Sequence, residues 1–60
     1  MPWNAAYFPP AMTHLPEVVR AKAIEIANAL LEEGYEEGRA IRIAIAQAKR
    51  WGEARGVYFE

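Results

Sequence analysis

Apolar residues recur at three- and four-residue spacing in two stretches of the chain, with one break between them. In the first stretch Val19, Ala23, Ile26, Ala27 and Leu30 mark one helical face, and Ile24 and Leu31 widen it. Glu17, Lys22, Glu25, Asn28, Glu32 and Glu33 fill the polar remainder, which predicts a helix over residues 16–33. In the second, Ala40, Ile41, Ala44, Ile45, Ala48 and Trp51 fall within an arc of roughly 140°. That pattern predicts a helix over residues 36–51, fraying beyond Gly52. At the break, Gly34 stands where a left-handed residue ends a helix, and Tyr35 follows, placed to fold its ring back. Glu36 and Glu37 lie at the positive end of the next helix dipole. The expected fold is all-α, a two-helix antiparallel hairpin within a single small domain.

The flanks are read from their breakers. Pro2, Pro9 and Pro10 exclude a regular helix or central strand in residues 1–15, although one helical turn fits at residues 10–13. Trp3, Tyr7 and Phe8 make this arm too aromatic for a free tail. It is expected to roof the hairpin core, with an exposed aromatic platform for a peptide or a base as the competing reading. Thr13 is a candidate helix cap ahead of Pro16. Arg20 projects between apolar rows, where it can stack on an arm ring or meet a carboxylate of the tail. Asn28, on the polar side, is expected to bond across to the arm or the corner. In residues 52–60, Gly52 and Gly56 are expected to loosen the helix end, and Val57, Tyr58 and Phe59 need a surface to cover.

Composition narrows the function classes. The chain has 60 residues, no Cys and one His. Disulfides, thiolate metal sites and thiol nucleophiles are therefore excluded. Neither Ser nor Asp occurs, so serine and cysteine triads are excluded too, and a chain this short offers little concave pocket. The protein is expected not to be an enzyme, and no cofactor is expected. A hydrophobic content of 53% argues against disorder. A formal charge of −1 gives no general attraction to nucleic acid or anionic lipid. Charged residues interrupt every apolar run, so no membrane span is expected, and Met1-Pro2-Trp3 lacks the start of a secretory signal. A cytosolic location follows as the expectation. Domains this small bury little surface alone, so a second copy of the chain, or another protein, is the expected partner.

Two charged clusters invite specific chemistry. Glu32, Glu33, Glu36 and Glu37 crowd the corner, but calcium loops use Asp or Asn at alternating positions, and no metal site is expected here. Arg39, Arg42, Lys49 and Arg50 collect on one arc of the second helix, with Ile43 at its edge. Those five residues form the candidate partner surface. The alternative is nucleic-acid binding in the manner of a helix–turn–helix reader. Against that stand the flanking glutamates, the bulky Leu30 four places before the turn glycine, and the lack of a third helix. The corner Leu30-Leu31-Glu32-Glu33-Gly34-Tyr35 also resembles, over two or three residues, the Met-Gly-Phe turn of ubiquitin-associated domains, which implies a helical adaptor in general.

Longer blocks carry a wider resemblance. They are Met1-Pro2-Trp3, the run Val19-Arg20-Ala21-Lys22-Ala23-Ile24-Glu25-Ile26-Ala27-Asn28, the run Glu33-Gly34-Tyr35-Glu36-Glu37-Gly38-Arg39-Ala40-Ile41, and the pair Ala44 and Trp51. Over residues 1–51 the chain resembles the N-terminal module of YdaT-like bacterial stress proteins. More distantly it is similar to ChaB-like proteins, through the Met-Pro start, a Leu-Pro before the first helix and the helical spacing. The resemblance implies a bacterial, cytosolic helical module, sometimes joined to a second domain, whose role here is expected to be absent or supplied in trans. It brings no catalytic or binding residue with it.

Overall fold

A computed structural model describes residues 2–59. Met1 of the arm and Glu60 of the tail lie outside the described residues. The elements are a single 3₁₀ turn at Pro10–Met12, then helix α1 at Glu17–Glu32 and helix α2 at Glu37–Ala54. No strand occurs among the described residues beyond one isolated bridge between Asn4 and Tyr7. The helices run antiparallel, since Val19 near the start of α1 lies against Gly52 near the end of α2.

Both helices end in the same device. The Gly34 N–H donates to Leu31 O and the Tyr35 N–H to Leu30 O, each at 3.0 Å, with Gly34 at φ +101°. This is the paired closure that a left-handed C′ glycine permits. Gly56, at φ +75°, does the same for α2, with Val57 N–H donating to Gly52 O at 2.9 Å. Neither helix begins with a side-chain cap. Pro16 holds the first N-cap position, and Thr13 instead closes the 3₁₀ turn.

Three parallel sets of rows organise the hairpin, each following the i, i+4 lines of a helix. The contact rows are Val19, Ala23, Ala27 and Leu31 on α1 and Ala40, Ala44, Ala48 and Gly52 on α2. Gly52 is thus the last member of a small-residue row. A Cβ there would sit 2.8 Å from Tyr58 Cβ and 2.9 Å from Val19 Cγ2. The expected fraying at Gly52 is corrected accordingly. The helix runs through this glycine because close packing requires a residue without a side chain, and Gly56 makes the end.

On one side of the contact rows lie Arg20, Ile24 and Asn28 of α1 and Ile41, Ile45 and Lys49 of α2. The arm covers this side. Trp3 is only 6% exposed, and Pro9, Met12 and Leu15 are buried beside it. Asn28 is buried, not on a solvated polar face, and its amide bonds the Trp3 backbone. Arg20 stacks on Phe8 with its guanidinium carbon 4.8 Å from the ring centroid, and it donates to the carbonyls of Thr13 and Leu15 at 3.3 and 3.0 Å. A turn closed by Asn4, whose Oδ1 accepts from Ala6 N–H and Tyr7 N–H, directs the arm back onto the helices. Tyr58 packs on the same core, while Phe59 stays 83% exposed.

On the other side lie Val18, Lys22, Ile26 and Leu30 of α1, and Ile43, Gln47 and Trp51 of α2. Nothing among the described residues roofs these rows. Lys22, Ile26, Leu30, Ile43 and Trp51 are half-buried there and Val18 is 53% exposed.

Candidate interaction surfaces

Helix geometry divides the basic arc of α2 among three rows. Arg42 and Arg50 point outward on the solvent row, and both are exposed. Arg39 precedes Ile43 by one turn on the unroofed row and lies over the Tyr35 ring at 5.7 Å. Lys49 belongs to the arm side, with its ammonium 6.0 Å from the Tyr58 ring centroid. Ile43 is half-buried and shares the unroofed row with Arg39, Gln47 and Trp51.

The arm aromatics differ in burial but meet at one notch. Trp3 is a core residue and Phe8 is half-buried under Arg20, while Tyr7 is exposed. A notch of about 350 Å³ between the arm and α2 is lined by all three rings, with Pro9, Pro10, Glu37 and Ile41.

A shallow groove that the spacing of apolar residues did not isolate runs along the unroofed side. It has a volume of about 610 Å³ and is lined by Val18, Ala21, Lys22, Glu25, Glu17 and Trp51. Trp51 forms its floor, held by two cations, Lys22 at 5.4 Å and Arg55 at 5.2 Å from the ring centroid. Such stacking fixes an indole while leaving part of its surface open. Lys22 is also paired with Glu25 at 2.9 Å. The signal in the sequence is Val18, an apolar residue four places before Lys22 and off the main apolar face.

Charge is modestly uneven between the two ends of the hairpin. The corner carries Glu32, Glu33, Glu36 and Glu37 with Arg39 and Arg42, around an open depression lined by Glu33, Gly34, Tyr35, Glu36 and Arg39. The open end carries Arg20, Lys22, Lys49, Arg50 and Arg55 with Glu17, Glu25 and Glu53. No group of three His, Cys, Asp or Glu residues among the described residues converges as a metal site. No helix among them is long and apolar enough to cross a membrane.

No protein-family model matches the chain, and no solved structure matches it. A curated relative does. The chain is 55% identical over 53 residues to uncharacterized protein YdaT of Bacillus subtilis (strain 168). The match takes in 88% of this chain and 35% of YdaT, so the chain spans about a third of the length of the relative. The likeness to YdaT supports the YdaT-like resemblance and gives none to the ChaB-like one. YdaT is described as uncharacterized, so the match transfers no activity and no site residue.

Proposed function

We propose that this chain is a non-enzymatic interaction module of a bacterial cytosolic protein, and that it acts through the unroofed face of its hairpin. One observation carries the reading. On the side away from the arm, Val18 is 53% exposed and lines a shallow groove with Ala21, Lys22 and Trp51, while Ile26, Leu30 and Ile43 are half-buried. An exposed valine beside a partly open indole on a small domain is a starting point for association. The residue inventory supports a non-enzymatic role, since the single imidazole, His14, is exposed and no Ser, Cys or Asp occurs. A link to stress physiology rests on the resemblance alone.

The alternative reading, nucleic-acid binding, draws support from Arg42 and Arg50 on the outward row. The acidic corner opposes it. Backbone amide shifts of the labelled chain separate the two. The chain would be titrated with the remaining two-thirds of the Bacillus relative, and separately with mixed-sequence DNA and RNA at two salt concentrations. Shifts centred on Val18, Lys22, Ile43 and Trp51 with the protein support the interaction module. Shifts centred on Arg42 and Arg50 with nucleic acid, weakening steeply with salt, would replace it by the alternative.

A further inference from the structure

We infer that the notch between the arm and α2 binds a methylated ammonium group, carried by one small quaternary ammonium compound at a time. The inference does not depend on the unroofed face, since the notch lies on the side that the arm covers.

Three rings and one carboxylate meet there. Trp3, largely buried, lies at the base, and Tyr7 and Phe8 supply the other rings, with Pro9, Ile41 and Glu37 beside them. An aromatic face attracts a cation held within about 6 Å of its centre. Most rings of this molecule already have one. Phe8, Tyr35, Trp51 and Tyr58 each carry a Lys or Arg, at distances from 4.8 to 6.0 Å. Trp3 and Tyr7 have no such cation among the described residues, and Glu37 makes no ion pair among them. The two unengaged rings and the unpaired carboxylate therefore share one notch. Arg20, the cation on Phe8, donates to the carbonyls of Thr13 and Leu15 and does not line it. Glu36 and Glu37 together outweigh the partial positive charge at the start of α2, about half a unit.

The lining selects the methylated form of the cation. A primary ammonium is strongly hydrated and brings three N–H donors that need acceptors. Rings, Pro9 and Ile41 offer mainly apolar contact, which suits a cation whose surface is methyl groups. A volume of about 350 Å³ is at the low end for ligand sites, so it holds one headgroup and not a peptide segment. The walls are also set before a ligand arrives. Asn28 holds the Trp3 backbone, Asn4 holds the Tyr7 backbone through bonds of 2.8–3.1 Å, and Arg20 covers Phe8. Such preorganisation lowers the ordering cost of binding.

The test is titration of the isotope-labelled full chain with choline chloride at constant ionic strength, read by amide and indole N–H shifts. Saturable shifts should centre on Trp3, Tyr7, Glu37 and Ile41. The Trp51 indole is the internal control, because Lys22 and Arg55 already flank it and repel a further cation. The neutral isostere of choline, with a tert-butyl group in place of trimethylammonium, should bind at least tenfold more weakly, and so should methylammonium. Tyr7→Ala and Glu37→Gln should each weaken choline binding about three- to tenfold, while Tyr7→Phe keeps it. Tyr7 and Glu37 are both exposed, and circular dichroism verifies that each variant keeps its helices. Shifts that do not saturate by about 100 mM choline overturn the inference. So do equal affinity for the neutral isostere, shifts centred on Trp51, or indifference to both weakening variants. A trimethyl-lysine peptide that binds more than tenfold tighter than choline overturns the small compound as occupant.

Discussion

Asn28 and Trp3 are joined in both directions. The Trp3 N–H donates to Asn28 Oδ1 at 3.3 Å, and Asn28 Nδ2 donates to the Trp3 carbonyl at 3.0 Å. Twenty-five positions apart in the chain, the two residues form the bond pair of a miniature ladder, made by one side chain. The pair solves a specific problem. To bury its indole, the arm must also bury a peptide unit, and an extended segment has no neighbour to satisfy that unit.

Replacing Asn28 by Leu keeps the approximate volume and leaves the Trp3 N–H and carbonyl without partners. Each orphaned buried group costs about 1–3 kcal/mol. The expected loss is about 2–4 kcal/mol, a large share of the stability of a domain this size. Urea unfolding checks it. A midpoint within error of the parent would mean that the arm is not held by this pair.

Gly52→Ala tests the row of small residues. In an open helix Ala is favoured over Gly by up to about 1 kcal/mol. Here the new methyl would press on Tyr58 Cβ and Val19 Cγ2 at under 3 Å, so the helix pair or the tail must move. The expected result is a lower melting temperature, by about 5 °C or more, for a cost above about 1 kcal/mol. Gly38→Ala is the control. Its Cβ would meet only the Arg42 and Glu36 side-chain ends at 3.9 Å, and stability should hold or rise slightly.

The hairpin was legible because two periodic runs and a glycine corner point to one answer. Gly34 and the apolar faces are where their spacing puts them, and the helices begin and end within a few residues of expectation, whereas Tyr35, expected to fold back on the end of α1, is 38% exposed with Arg39 over its ring. Gly52 misled because glycine is a stop signal in most contexts, although its four-residue spacing from Ala48 continued the row Ala40, Ala44, Ala48. Asn28 was half legible. Its bond to the arm was expected and is present, but a polar residue beside Glu25 and Glu32 reads as solvated until the arm is folded over it. The five residues grouped on the basic arc share a region of a helical wheel. They separate once the direction of α1 is known, because an i, i+4 contact row drifts around the helix. The unroofed face depends on where the arm lies, which periodicity within the helices does not encode.

Gly34 carries the positive φ of the corner, +101°, and nothing lies within 4 Å of a Cβ built there. The cost of substitution is therefore backbone strain alone. Gly34→Asn should cost least and Gly34→Ala roughly 1–2 kcal/mol. Gly34→Val should cost more again, since a β-branched residue resists this region. Thermal melting of the three variants reads the order directly. Equal melting temperatures for Val and Asn would remove the left-handed closure of α1 as a determinant of the fold.

Removal of residues 1–8 is the most severe test of the layered arrangement. The hairpin would lose Trp3 and Phe8 together, and with them the cover over Ile24, Ile41 and Ile45. Loss of one large buried aromatic costs about 3–5 kcal/mol, comparable to the whole stability of a domain this small. Asn28 would be left without its backbone partner, and Arg20 without the ring it stacks on. Both broad faces of the hairpin would then be apolar and open. The expected outcome is loss of a cooperative melting transition, with increased binding of a hydrophobic dye. A truncated chain that melts like the parent would make the arm a free segment, and Tyr7, already exposed, its natural point of contact.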